Sequence, residues 1–210
     1  MLRCDSGAVP NTSSALTLAD WRSRLSSLYE VVRSCADPAE GHRHWREGRA
    51  DLFATHPQSP TAGVPQLRVN GVDYWPYDPT LRFTLEIEPA EVDERDVDGG
   101  DDGSVTLRRI GLVRLPEPVG GSLDVWWLHQ YGGGIFVPMR DGTAGDGSYG
   151  AGRYLLDTAK GAWLGGDDRH LVLDLNFAYH PSCRYDDRWR CPLAPAGNTI
   201  EARVEAGERL

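Results

Sequence analysis

The chain has 210 residues, 40% of them hydrophobic, and a formal net charge of −9. That length fits one domain, and the apolar share is enough for a sizeable core and too high for a disordered chain. The negative charge lacks the field that a non-specific nucleic-acid binder needs, and no run approaches 18 apolar residues, so neither nucleic acid nor a membrane is an expected partner.

In chain order, residues 1–16 are small and polar and read as a loose tail. They lack the apolar centre of a signal peptide, so a cytoplasmic location is the expectation and Cys4, Cys35, Cys183 and Cys191 are expected as thiols. From residue 17 a single domain is expected to run to 210. Its part over 17–56 is helical and its part over 64–210 is rich in strands. Leu18, Trp21, Leu25, Leu28 and Val32 recur every three or four residues, an amphipathic helix, with Thr17 and Asp20 placed as a capping box. "DPAEG" breaks it, and "HRHWREGRADLFATHP" is a second helical stretch ended by Pro57. His42 and His44 are two apart and cannot share a helix face. These residues and His56 are therefore read as surface histidines, with no metal expected.

Beyond residue 64 the pattern changes. Asn70-Gly71 signals a hairpin. "LRFTLEIEP" alternates strictly, with Leu81, Phe83, Leu85 and Ile87 on one face of a half-buried strand. "EVDERDVDGGDDG" reads as a solvated acidic loop without the spacing of a calcium loop. "SVTLRRIGLVRL", "SLDVWWLHQY", "GIFVPM" and "HLVLDLNFAY" read as strands, and "TIEARVEAG" as a short last one. Gly 24 and Pro 14 favour turns and strands over a helix bundle. The fold class expected is mainly β (α+β), with a barrel-like or sandwich-like antiparallel core and one or two N-terminal helices.

"GDGSYG", residues 145–150, spells G-x-G-x-x-G. A dinucleotide fingerprint needs a strand before it and a helix after it. "AGRYLLDTAKGAWLGG" is a poor helix, and Asp167 and Asp168 sit in a turn, so no nucleotide cofactor is expected. The residues around the glycines carry more chemistry. Arg140, Asp141, Thr143, Tyr149 and Arg153 fall within fourteen positions. Guanidinium forks oriented by a carboxylate and a phenol can hold an anion or can lock a loop internally. On the strand before Phe177, Asp174 and Asn176 share one face by the period of two.

"FVPMRDGTAGDGSYGAGRYL", "LVLDLNFAYHPSCRYDDRWRCPLAPAGNTI" and "VEAGERL", with "HWREGRADLFATHPQSP" and "YWPYDPTLRF" upstream, occur in the order found in one bacterial and archaeal family. Over about residues 40–210 the chain resembles the domain of unknown function 1684. That resemblance implies co-located motifs and no activity. The chain departs from the family pattern at Met139, Ser148, Leu175, His180, Ala194 and Gly197, the last standing where an acid is usual. An acidic loop also replaces the Ser/Thr-Gly-rich segment before "RRIGLVRL".

Cys183 is the nucleophile candidate, three residues after His180 and near Tyr179 and Asn176. His129 is a second possible partner. Cys183 and Cys191 are open to four readings: buried thiols, a disulfide, a nucleophile or half of a zinc site. The leading expectation is a polar pocket for a small anionic molecule. Arg140, Tyr149, Arg153, Asn176 and Tyr179 would bind there, and Asp141, Asp174 and Cys183 are the candidates for any catalysis. A non-catalytic interaction domain presenting Trp126, Trp127 and Trp163, and a thiol or zinc enzyme centred on Cys183, are the alternatives.

Overall fold

The computed structural model describes residues 12–98, 103–187 and 189–210. Cys4, most of the expected tail and the centre of the acidic segment lie outside them. Among the described residues three α-helices come first: α1 (Thr12–Ser34), α2 (Pro38–Thr55) and the short α3 (Pro65–Asn70). Nine strands follow among the described residues: β1 (Asp73–Tyr74), β2 (Arg82–Glu86), β3 (Glu94–Asp98), β4 (Ser104–Arg114), β5 (Ser122–His129), β6 (Ile135–Met139), β7 (Arg153–Asp157), β8 (His170–Asp174) and β9 (Glu208–Arg209). The protein is α+β and mainly β. No described helix is long and apolar enough to cross a membrane.

Strands β3 to β7 form one antiparallel meander in sequence order, and β2 pairs with β8. Two single bridges join these sheets into a ring. Past the end of β2, Glu88 pairs with Leu112 of β4, and past the end of β8, Tyr179 pairs with Tyr154 of β7. Closure of this kind leaves β3 as the exposed edge of the meander. The interior is packed by Val113, Leu123, Val125, Val137, Met139, Leu155, Leu171 and Leu173. Leu107, Trp126, Leu128, Phe136 and Tyr154 make a second cluster.

The two long helices lie against this ring. Leu25, Tyr29 and Val32 are the buried face of α1, and Trp45, Leu52 and Phe53 belong to that of α2. Asp37 caps α2 by accepting from Ala39 N at 2.9 Å, with Pro38 at the first helical position. Tyr29 accepts the indole proton of Trp45 at 3.0 Å, which ties the helices together inside the core.

Several expectations change. Helix α1 begins at Thr12, so Thr17 lies within it and donates to Ser14 O, while Asp20 pairs with Arg24 and His56. Asn70-Gly71 ends α3 and turns no hairpin; Gly71 donates to Leu67 O. Part of the acidic segment is strand β3, opposite β4. The stretch 199–207 is an irregular strap whose Val204 and Ala206 are buried, and only Glu208–Arg209 pair as a strand. His42 and His56 are buried, not on the surface. Trp126 is wholly buried and donates to Asn198 Oδ1 at 2.8 Å, so of the three tryptophans offered as a partner surface Trp127 is the exposed one. "GDGSYG" is a tight turn in which Gly145, at φ 87°, donates to Ser148 O, and strand β7 follows it where a nucleotide loop needs a helix.

Candidate functional site

The site is assembled from the strap upward. Arg153 on β7 is 0% exposed and faces the strap. Its guanidinium donates to Val204 O at 2.9 Å, to Glu208 O at 3.1 Å and to Ala206 O, and lies 5.1 Å above the Trp75 ring. Its second nitrogen meets Asp141 Oδ1 at 2.9 Å. Asp141 Oδ2 in turn accepts from Val204 N at 2.8 Å, Thr143 N at 3.1 Å and Thr143 Oγ1 at 2.9 Å. The pair thus spends its bonds on the backbone of the strap and of the glycine loop, and only Arg153 Nε is left without a partner among the described residues. A buried charge needs partners of this kind.

The strap delivers Glu208. Gly207 passes over Ala178 with φ 75°, so close that a Cβ would strike the Ala178 carbonyl. Glu208 is 0% exposed. One carboxylate oxygen takes Arg49 of α2 at 2.5 Å and faces Tyr74 Oη at 3.5 Å. The other takes His180 N at 2.5 Å and Tyr185 Oη at 3.0 Å. Burial alone would raise this carboxyl; Arg49 and His180 overcome it and hold Glu208 below its ordinary value. The Arg49 guanidinium also stacks over Trp45, Phe53 and Tyr179, at 5.0, 4.6 and 5.0 Å. His180 accepts from Tyr149 N through Nε2 at 3.1 Å, so its proton sits on Nδ1, facing Glu208. Burial pushes His180 down to about 4, which makes it a neutral ring at neutral pH.

Above this ion pair, between the helices and β7, lies a cavity of about 60 Å³. Trp21, Tyr29, Phe53, Tyr154 and Tyr179 supply its aromatic wall, and Arg49, Lys160, His180 and Ser182 its polar atoms. Lys160 Nζ pairs with Asp157 Oδ2 at 3.3 Å, while the other oxygen of this buried Asp157 has no partner among the described residues. A wider cleft of about 350 Å³ runs beside α2 and α3, lined by Arg43, Arg46 and Tyr74. Arg43 there is already matched by Glu40 and Glu47.

The candidate binding and catalytic residues fall into five places. Asp141 and Arg153 are together in the buried strap network. Asp174 and Asn176 are together in a second network: Asp174 Oδ1 caps the turn Leu175–Phe177, Asn176 bonds Asp78 through both of its amide atoms, and Arg82 and Tyr77 each reach Asp174 Oδ2 at 3.3 Å. Burial raises the Asp174 carboxyl against the pull of Asn176 and Arg82. Arg140 is exposed and donates to Gly150 O at 3.0 Å. Cys183 and Tyr149 are neighbours beside Cys191. Tyr179 alone of the set lines the cavity. His129 is exposed at the end of β5. The four side chains Arg140, Arg153, Asp174 and Cys183 do not converge. At Gly197 a side chain would collide with the carboxylate of Asp124, which β5 sends into that space and which Arg109 pairs at 3.3 Å.

Arg49, Lys160 and Glu208 are not marked as site residues by the sequence. Arg49 and Glu208 stand 159 positions apart, and only the fold joins them.

His42 is a third buried titratable group. Its ring lies 5.5, 5.2 and 5.1 Å from those of Trp45, Tyr77 and Phe177, and Nε2 has no partner among the described residues. Burial, with Arg46 beside it, pushes His42 down to about 4. An unfolded histidine titrates near 6.5. Between those values the unfolded chain holds more protons, so stability is full above pH ~6.5 and falls as the pH drops toward ~4. In urea melts across this window His42→Phe is expected to remove roughly 2–3 kcal/mol of that acid-dependent loss. An unchanged slope in the variant would show that His42 takes up no proton on unfolding.

Comparison with known proteins adds a family and a fold. A family model described as "Protein of unknown function (DUF1684)" matches residues 68–209. The solution NMR structure of an uncharacterized protein from Haloarcula marismortui is similar to this chain at 30% identity, with a TM-score of 0.57 over 79% of this chain and 90% of that one. No curated protein matches. The match takes in the glycine loop, Arg153, the segment around Cys183 and Glu208, and with more than half of the chain covered, this protein belongs to the DUF1684 family of proteins of unknown function.

Proposed function

We propose that the protein binds a small anionic molecule in the cavity between α1, α2 and β7. The carrying observation is a surplus of donors on an aromatic wall. Tyr29 Oη already accepts from Trp45, so its own proton is left for an occupant. Tyr179 Oη and Ser182 Oγ have no hydrogen-bond partner among the described residues, and Lys160 Nζ has Asp157 as its one carboxylate. An acceptor-rich group with a short apolar body satisfies these donors and the rings together. At roughly 10–15 Å³ for each water, the cavity holds about four or five waters, or an acid with that many heavy atoms. Arg49 supplies positive potential, but Glu208 holds it in place. The buried pairs Asp141–Arg153 and Asp174–Asn176 act in this reading as the frame that seats the strap and the segment 175–180. The binding reading requires no catalytic step.

Acetate and inorganic phosphate are the probes. A thermal melt at a hundredfold excess over Kd is expected to rise by about 5–10 °C. Lys160→Met is expected to weaken binding about tenfold or more, the effect of losing a charged hydrogen bond. Arg140→Ala, outside the cavity, should bind as wild type does. If sodium chloride at matched ionic strength reproduces the shift, or Lys160→Met retains it, the site is not in this cavity.

A further inference from the structure

We propose that Cys191 and Cys183 are a peroxide-reactive dithiol, with Cys191 as the attacking sulfur and Cys183 as the resolving one. Both are unbridged and half-buried, and Cys191 packs against the cluster that holds Tyr154. The sulfur of Cys191 sits at the start of the turn Ser182–Arg184 and accepts from Cys183 N at 3.4 Å. The Cys183 thiol, the Ser182 backbone and the Lys160 charge are the further groups that favour a thiolate there. A sulfur that accepts a backbone N–H beside a second thiol is placed to carry a thiolate. Tyr149 lies on the other side of Cys183 and pulls its thiol down, a smaller effect than the upward push from Cys191. The hydrogen bond from Cys183, together with its N–H and Lys160, brings Cys191 down to about 6, and the same bond pushes Cys183 up.

The co-reactant is a hydroperoxide, and the steps balance. The Cys191 thiolate attacks the O–O bond. One oxygen stays on sulfur as sulfenic acid and the other leaves as hydroxide or alkoxide. The Cys183 sulfur then attacks the sulfenic sulfur, an S–S bond forms, and the displaced oxygen leaves as water with the thiol proton. Two sulfurs have lost one electron each, and the peroxide has gained two. The product loop holds the residues between 183 and 191. A thiol reductant of the cell restores the pair by exchange.

Two measurements on wild-type protein test this. Iodoacetamide labelling read by mass spectrometry should give Cys191 a pH–rate midpoint near 6, where an ordinary thiol titrates near 8.5. After mild hydrogen peroxide, trypsin should release peptides 170–184 and 191–203 joined by a disulfide, a loss of two hydrogens, with Cys35 still alkylatable. In Cys183→Ser, dimedone should trap a sulfenic acid on Cys191. A Cys191 midpoint near 8.5, a first adduct on Cys183, or a Cys35 oxidised as fast as the pair would each overturn the proposal.

Discussion

Arg153→Met is expected to cost the protein most or all of its stability. The side chain is 0% exposed and pairs with an Asp141 carboxylate that is itself 0% exposed. Methionine fills much of the volume but leaves that carboxylate buried without its cation, a loss of about 3–5 kcal/mol. The carbonyls of Val204, Ala206 and Glu208 also lose their donor. An unsatisfied buried acceptor costs about 1–3 kcal/mol, less where water can enter. Against a total of roughly 5–15 kcal/mol for a domain, the sum leaves little or nothing. Circular dichroism and urea unfolding should therefore show an unfolded or barely folded chain. Arg153→Lys should recover only part of the loss, because an ammonium cannot reach the carboxylate and the carbonyls as a planar fork does. An Arg153→Met protein within 1 kcal/mol of wild type would mean that water or the strap rearranges to replace every one of these bonds. Because Asp141 and Arg153 hold the strap that carries Glu208, this variant should also lose anion binding in any folded fraction.

What the sequence reveals depends on whether a residue's role is set locally. The period of α1 and the alternation of Leu81, Phe83, Leu85 and Ile87 report burial on one face, and both elements are where the pattern puts them. Strand β3 is different. As an edge strand it exposes four of its five residues, so Glu94–Asp98 carries no apolar alternation to read. Asn70-Gly71 serves a helix end as readily as a hairpin, and the choice is made by "PQLRV" before it. Histidine burial is equally silent: His42 is buried because α2 turns that face onto Phe177, 5.1 Å away, which no local pattern states. Within the candidate site, Asp141 and Arg153 are twelve residues apart and share one loop, so their pairing is accessible to local reading. Cys183 and Cys191 are also close in sequence, yet which of them is the thiolate depends on where the N–H groups of the Ser182–Arg184 turn point. The Arg49–Glu208 pair joins the first helices to the last strand, and neither residue has a neighbour that marks it. Its signal exists only in three dimensions.

That pair carries the second large effect. Glu208→Gln is expected to destabilise the protein by about 3–5 kcal/mol, because the amide keeps the size of the side chain and removes the counter-charge of a buried guanidinium. Two controls identify the cause. Arg49→Met combined with Glu208→Gln should be more stable than Glu208→Gln alone, since no buried charge is then left unpaired. The gap between wild type and Glu208→Gln should also depend on pH. Glu208 is held below its ordinary value of 4.5 in the folded state, so its contribution is complete above that pH and is lost as the pH falls through the lower folded value. The gap should be constant from pH 6 to 8 and should narrow in acid below ~4.5. A gap that persists unchanged in acid would assign the loss to packing and not to charge. The same substitution separates stability from binding. Glu208 neutralises Arg49 at the cavity wall, so Glu208→Gln leaves an unmatched cation facing the aromatic lining. Acetate or phosphate should then raise the melting temperature of Glu208→Gln more than that of wild type, although the variant starts lower. An anion that stabilises both proteins equally would place its site away from Arg49. The buried glutamate would then serve the fold alone.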